Sequence, residues 1–300
     1  MHPPETTPQL SIAGAAWART RDRWANYIAV AMQFIVLPLV IASIISAVSL
    51  LALPFVLNMF KDPNANSVTQ IVAAVAALLL PVAAFLGALY RNLIGTVALI
   101  KVVIDTKKDR RASIAEAKAL FNPYVNFISI LSLISFGYLV YIPITLFGAI
   151  IFIQVITQFA TFIFLTDDKR GARSIWTAVQ VYKAHFLPVT GHAIVLQGIS
   201  MLIGNIGTIV TALQGKTSMT NTITTFGSTQ LFSLVALLLY QVFSISYMFE
   251  VYSRLKKPET VKTPILFILF SVLGWLILLG LMGWGIRFIM THPIQLPMSK

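Results

Sequence analysis

Long apolar runs separated by short polar or basic turns set the pattern of this chain. They lie near 28–59, 68–104, 126–165, 187–213, 228–251 and 264–290. A membrane span needs about 20 mainly apolar residues, and these runs reach or exceed that length. In lipid the backbone polar groups of a segment must be satisfied within it, so the runs predict helices. A β-barrel would alternate apolar and polar positions, whereas here the runs are continuous. Pro38, Pro54 and Pro81 interrupt the first two runs. The 126–165 run is too long for one crossing, and Gly137 and Pro143 near its middle predict a tight hairpin of two short or tilted helices. Seven spans result, or six if 126–165 crosses differently. The fold class is all-α: a polytopic helical membrane protein.

Three of the runs share a lead-in. Ser11-Ile12-x-x-Ala15, Ser113-Ile114-x-x-Ala117 and Ser174-Ile175-x-x-Ala178 each follow or accompany basic residues. Each continues into aromatics: Trp17 and Trp24, then Phe121 and Tyr124, then Tyr182 and Phe186. Serine is a good N-cap because its hydroxyl accepts a free N–H of the first turn. Glu116, three residues after Ser113, adds a capping-box pattern. Apolar residues then recur at helical spacing: Ile114, Ala117, Phe121 and Val125, and Ile175, Ala178, Tyr182 and Phe186. In the first copy Leu10, Ala13, Trp17, Thr20 and Trp24 keep steps of three and four. Such stripes flanked by Arg and Lys predict short amphipathic helices lying at the cytoplasmic membrane surface. The competing reading makes them plain cytoplasmic ends of spans stacked on their neighbours.

Composition then settles the class. Hydrophobic residues make up 57% of 300 and charged residues 11%, where soluble domains carry roughly a quarter. With no cysteine, disulfides and thiolate metal sites are excluded. The organisation expected is a basic segment over 1–27 with an interfacial helix, one membrane domain over 28–290, and a short tail over 291–300. The first run exceeds the core of a signal peptide and should stay as an anchor. The net charge of +12 is first a topology signal. Arg19, Arg21, Arg23, Lys101, Lys107, Lys108, Arg110, Arg111 and Lys118 fall on one side. Lys169, Arg170, Arg173, Lys183, Arg254, Lys256, Lys257 and Lys262 join them there. Basic residues near span ends stay cytoplasmic, so the amino terminus is expected inside and the carboxyl terminus outside a plasma (inner) membrane. The basic loops are too short for a nucleic-acid surface, and anionic lipid headgroups are the partner they suit.

The order Asp167, Asp168, Gly171, Ala172, Ser174, Ala178, Lys183, Phe186 resembles a turn-and-helix pattern of known membrane domains. These are the domains associated with bacterial glycerophosphoryl diester phosphodiesterases, and related multi-spanning proteins. The resemblance covers most of 10–255 and implies a bacterial-type integral membrane protein. In that family the catalytic part is a separate soluble barrel, which this sequence lacks, so no activity is carried over. The last run, 264–290, lies beyond the resemblance.

Residues that could carry function divide into two groups. Ser11, Trp17, Trp24, Arg110, Arg111, Ser113, Arg170, Arg173 and Ser174 form the lipid or interface set. Arg91, Gln154, Gln158, Gln197, Gln241 and Glu250 are polar or charged within or at the ends of spans, and could line a path. Against that, glutamines in lipid ordinarily bond neighbouring helices, and Arg91 can snorkel to headgroups or pair with Glu250. His185 and His192 lack a carboxylate partner, so no metal and no other cofactor is expected. Gly204-x-x-Gly207 and Gly280-x-x-Gly283 predict close helix contacts. Acidic residues within spans are almost absent, which leaves no catalytic constellation. The reading favoured is a non-catalytic scaffold or assembly factor acting with inner-leaflet lipid, other membrane proteins or further copies of itself. A transporter or lipid-translocating protein is the alternative.

Overall fold

The computed structural model describes residues 11–59, 67–105, 109–145, 148–167, 171–205, 219–256 and 262–291. Every regular element among them is helical, with no strand. Helix α1 spans Ile12–Ala31, α2 Leu37–Met59, α3 Ser67–Ile104 and α4 Arg110–Ala119. Then come α5 Phe121–Tyr138, α6 Ile142–Thr145, α7 Gly148–Thr166, α8 Ala172–Ala184 and α9 Phe186–Gly204. Helices α10, Met219–Arg254, and α11, Ile265–Thr291, complete the order. Among the described residues, 6 helical stretches are long and apolar enough to cross a membrane, which makes this a multi-pass helical membrane protein. The expected span at 228–251 falls within α10, where the side chains before residue 236 lie outside the described residues.

The first span differs from its expected form. Residues Ile12–Val56 make one continuous 45-residue stretch, without a break at residue 27. At 1.5 Å per residue that is about 67 Å, roughly twice the hydrocarbon thickness, so part of it must lie outside the apolar core. Pro38 does not break the helix. A π-turn over Met32–Val36 comes just before it, adding slack where the proline ring would meet the carbonyl of residue 34. Pro54 and Pro81 sit inside α2 and α3. The hairpin expected within 126–165 is present. Helix α5 ends at Tyr138, tightens through a 3₁₀ turn at Leu139–Tyr141, and α7 returns from Gly148.

The chain forms two compact units. The first comprises Met1–Asn122 with Leu238–Tyr247, and the second Pro123–Leu237 with Met248–Lys300. In the first, α3 packs against α1, α2 and α4. Tyr27, Val30, Phe34, Ile94, Val97 and Val102 form its buried centre. A Cβ on Gly95 would stand 2.6 Å from the Phe34 Cβ, so glycine is what lets α3 approach the π-turn.

The second unit is built around aromatic rings. Phe127 and Phe164 stack with centroids 4.8 Å apart, and Phe159 and Phe162 meet Tyr252 at 5.5 and 5.9 Å. A seam joins α5 and the turn after it to α11. Ser271 donates to the Ile134 carbonyl at 2.9 Å and Trp275 Nε1 to the Leu133 carbonyl at 2.8 Å. In the opposite direction, the Tyr138 and Tyr141 hydroxyls donate to the Phe267 and Phe270 carbonyls at 2.8 and 3.0 Å. At the centre, a Cβ on Gly137 would collide with the Ser271 backbone, and one on Gly274 with the Gly137 carbonyl. The glycines singled out in the sequence do not serve this purpose. Among the described residues, nothing lies within 4 Å of a Cβ added at Gly204, Gly280 or Gly283, and Gly207 is itself outside them. The close approach falls instead where α5 ends and α11 crosses it. Gly274→Val should therefore lower the thermal midpoint in detergent, by a cost of about 1–3 kcal/mol for overpacking. Gly280→Val should leave it unchanged; equal effects in thermal circular dichroism would refute the crossing.

Candidate functional site

Each serine-led segment has its own local solution. In α1, Ser11 is the N-cap, its hydroxyl accepting the Gly14 N–H at 3.1 Å. The face packed on the unit is Ala16, Thr20, Tyr27 and Val30, which shares only Thr20 with the sequence stripe. Trp17 and Trp24 point away from the unit, 62% and 48% exposed. Arg21 and Asp22, also exposed, pair at 3.4 Å. Arg19 turns inward, and its Nη1 donates to the Ile104 and Val103 carbonyls at 3.1 and 3.5 Å. Those carbonyls belong to the last turn of α3, where no intrahelical partner remains and the dipole attracts a cation.

In the second and third copies serine does not cap. Asp109 caps α4, accepting the Ala112 N–H at 2.7 Å, so Ser113 falls one turn inside the helix. Aspartate caps as well as serine and comes earlier in the chain, which sets the start. The Ser113 hydroxyl bonds back to the Asp109 carbonyl at 3.1 Å. The capping box is absent as well: Glu116 reaches Lys101 of α3, whose Nζ lies 2.5 Å from its carboxylate. Helix α8 starts at Gly171, whose φ of 64° suits a residue without Cβ. The Ser174 N–H bonds the Gly171 carbonyl at 3.1 Å.

Ser113 with Ala117, and Ser174 with Ile175 and Ala178, are fully buried. Small residues one turn apart therefore make the seat of each short helix on its own unit. Arg110, Arg111 and Lys118 on α4, and Arg173 and Lys183 on α8, are exposed. Arg170 lies outside the described residues. Single non-helical residues, Leu120 and His185, separate α4 from α5 and α8 from α9. Helix α8 is also tied to the basic linker: Gln180 donates to the Lys262 carbonyl, and the His185 ring lies 3.4 Å from the Lys256 carbonyl. The third copy's aromatic is anchored too. The Tyr182 hydroxyl shares a 2.8 Å bond with Thr190, and burial pushes its phenol up while that bond opposes the shift.

The polar residues expected along a path belong to both units: Arg91 and Gln241 to the first, Gln154, Gln158, Gln197 and Glu250 to the second. Arg91 on α3, Gln154 on α7 and Gln241 on α10 are exposed, while Gln158 and Gln197 are half-buried. Glu250 lies 3.9 Å from Arg254, one turn along α10. Arg91 and Glu250 belong to different units. Hydroxyls are mostly spent on their own helices: Ser46, Thr96, Thr161 and Ser246 each bond the carbonyl four residues back at 2.7–2.9 Å. Among the described residues, no three His, Cys, Asp or Glu side chains gather as a metal site would need. The second unit holds cavities that the sequence did not signal, one of them about 590 Å³ with aromatic rings as half of its lining residues.

Comparison of the chain with protein-family models, with curated proteins and with solved structures gives no match. The Lys101–Glu116 pair, with side chains 13% and 34% exposed, is the contact that most directly fixes α4. Lys101→Met should cost about 1–3 kcal/mol by stranding the carboxylate, and adding Glu116→Gln should recover part of it. A double-mutant cycle read by thermal unfolding checks this, and strictly additive effects would remove the pair from the account.

Proposed function

We propose that this protein is a non-catalytic membrane scaffold or assembly factor that holds anionic inner-leaflet lipid through α1, α4 and α8. One observation carries the reading. Helices α4 and α8 each bury their small-residue face on their own unit and leave Arg110, Arg111, Lys118, Arg173 and Lys183 exposed. Seated short helices with free cations suit phosphate headgroups, each basic residue near an anionic surface contributing about 1 kcal/mol. Exposed Trp17 and Trp24 suit the same depth, since indole prefers the boundary between headgroup and tail. Charge bias supports a cytoplasmic amino terminus and an outer carboxyl terminus in the plasma (inner) membrane.

Transport finds less support, because Arg91, Gln154 and Gln241 are each exposed on their own unit. The resemblance to phosphodiesterase-associated membrane domains fits a supporting role beside other membrane proteins, and rests on hydropathy and small residues alone. Replacing Arg110, Arg111 and Arg173 together by Gln should lower the preference for phosphatidylglycerol over phosphatidylcholine by an order of magnitude or more, given about 1 kcal/mol per charge. Native mass spectrometry of chains released from mixed bilayers measures this. An unchanged lipid profile in a folded variant would overturn the proposal.

A further inference from the structure

The cavity of about 590 Å³ lies wholly within the second unit, among the end of α5 and the turn after it, α6, α7, α8, α9 and α11. Its buried wall includes Tyr138, Ala149 and Tyr182. Its outer residues Phe186, Ile194 and Phe270 are 54%, 52% and 51% exposed. In a membrane-spanning bundle, side chains exposed on α9 and α11 meet lipid rather than water. The opening is therefore onto hydrocarbon.

The hydroxyls around it are engaged. Tyr138 donates to the Phe267 carbonyl, Tyr141 to the Phe270 carbonyl and Thr145 to the Tyr141 carbonyl, at 2.8–3.0 Å. Thr145 also accepts the Ala149 N–H at 3.1 Å, and Tyr182 and Thr190 bond one another. Among the described residues, no charged side chain lines the space. Its volume of about 590 Å³ lies within the range of small-ligand sites, roughly 300–1,000 Å³. A polar solute would lose hydration there and find few partners. A saturated or mono-unsaturated chain would lose nothing, and would gain contact with the Phe152 and Tyr182 rings, whose centroids are 5.4 Å apart.

We propose that this cavity binds one acyl chain of a membrane lipid, entering sideways between α9 and α11. The site selects the tail and is independent of headgroup charge, so it stands apart from the basic faces of α4 and α8. Filling the mouth by Ile194→Trp should exclude the chain. Leu187→Trp, at a residue 80% exposed that does not line the cavity, is the matched control.

The test uses the full chain in phosphatidylcholine nanodiscs containing a phosphatidylcholine whose acyl chain carries a diazirine. After irradiation, adducts should concentrate on peptides bearing Phe152, Tyr182 and Thr190, and saturate at one lipid per chain. Ile194→Trp should lower those adducts severalfold, and Leu187→Trp should not. Should Ile194→Trp fail to fold, Thr190→Met supplies a smaller filling change with the same expected loss. Labelling spread evenly over lipid-facing helices, or undiminished in a folded filled variant, would overturn the proposal. Because the probe is zwitterionic, this outcome is separable from the anionic-lipid measurement.

Discussion

The structure depends on a solvent that cannot hydrogen-bond. In hydrocarbon, an unsatisfied hydroxyl or amide costs several kcal/mol, so each polar group in a span needs a partner inside the protein. Two answers recur here. Isolated Ser and Thr residues fold back onto the carbonyl one turn earlier, as Ser46 and Thr161 do. Where two helices meet at α5 and α11, hydroxyls and an indole cross over to main-chain carbonyls instead. The second answer brings backbones close, which is why Gly137 and Gly274 stand at the crossing. Between transmembrane helices lipid supplies little hydrophobic drive, so packing of small residues and such bonds hold the pair together.

The serine-led segments follow another rule, because at the start of each helix the possible caps compete. Asp109 and Gly171 take the starting positions of α4 and α8 and leave the serines to the packed face. The same small residues then serve seating instead of capping. Arg19 and Lys101 are drawn inward to the α3 carbonyls and to Glu116, while Arg110, Arg111, Lys118, Arg173 and Lys183 are exposed. Basic residues thus divide into those that fix the architecture and those left on the surface of their unit.

Much of this was legible in the chain. Continuous apolar runs gave the helices, and Gly137 with Pro143 gave the hairpin, because hydropathy and backbone freedom are local properties. The separate short helices at the second and third serine-led copies were legible for the same reason. What escaped depended on partners distant in sequence. Gly274 looks no different from Gly280 until α5 is laid across it. Glu116 reads as a capping residue until Lys101 arrives from α3. In the first copy the stripe of Ala13, Trp17, Thr20 and Trp24 is exposed at its two tryptophans, while the packed face runs through Ala16, Thr20 and Tyr27. Periodicity finds a helix but cannot say which of two amphipathic arcs meets protein. The aromatic cavity was not legible, since its walls come from three stretches far apart in the chain, 138–152, 182–194 and Phe270.

The seam also orders the making of the protein. Its two halves lie 129 to 142 residues apart along the chain, on a helix made midway and on the last one. Until α11 leaves the ribosome and enters the bilayer, Tyr138 and Tyr141 have no Phe267 or Phe270 carbonyl to meet, and the notch at Gly137 is open to lipid. The second unit therefore closes only once α11 is in place, and that helix acts as the keystone.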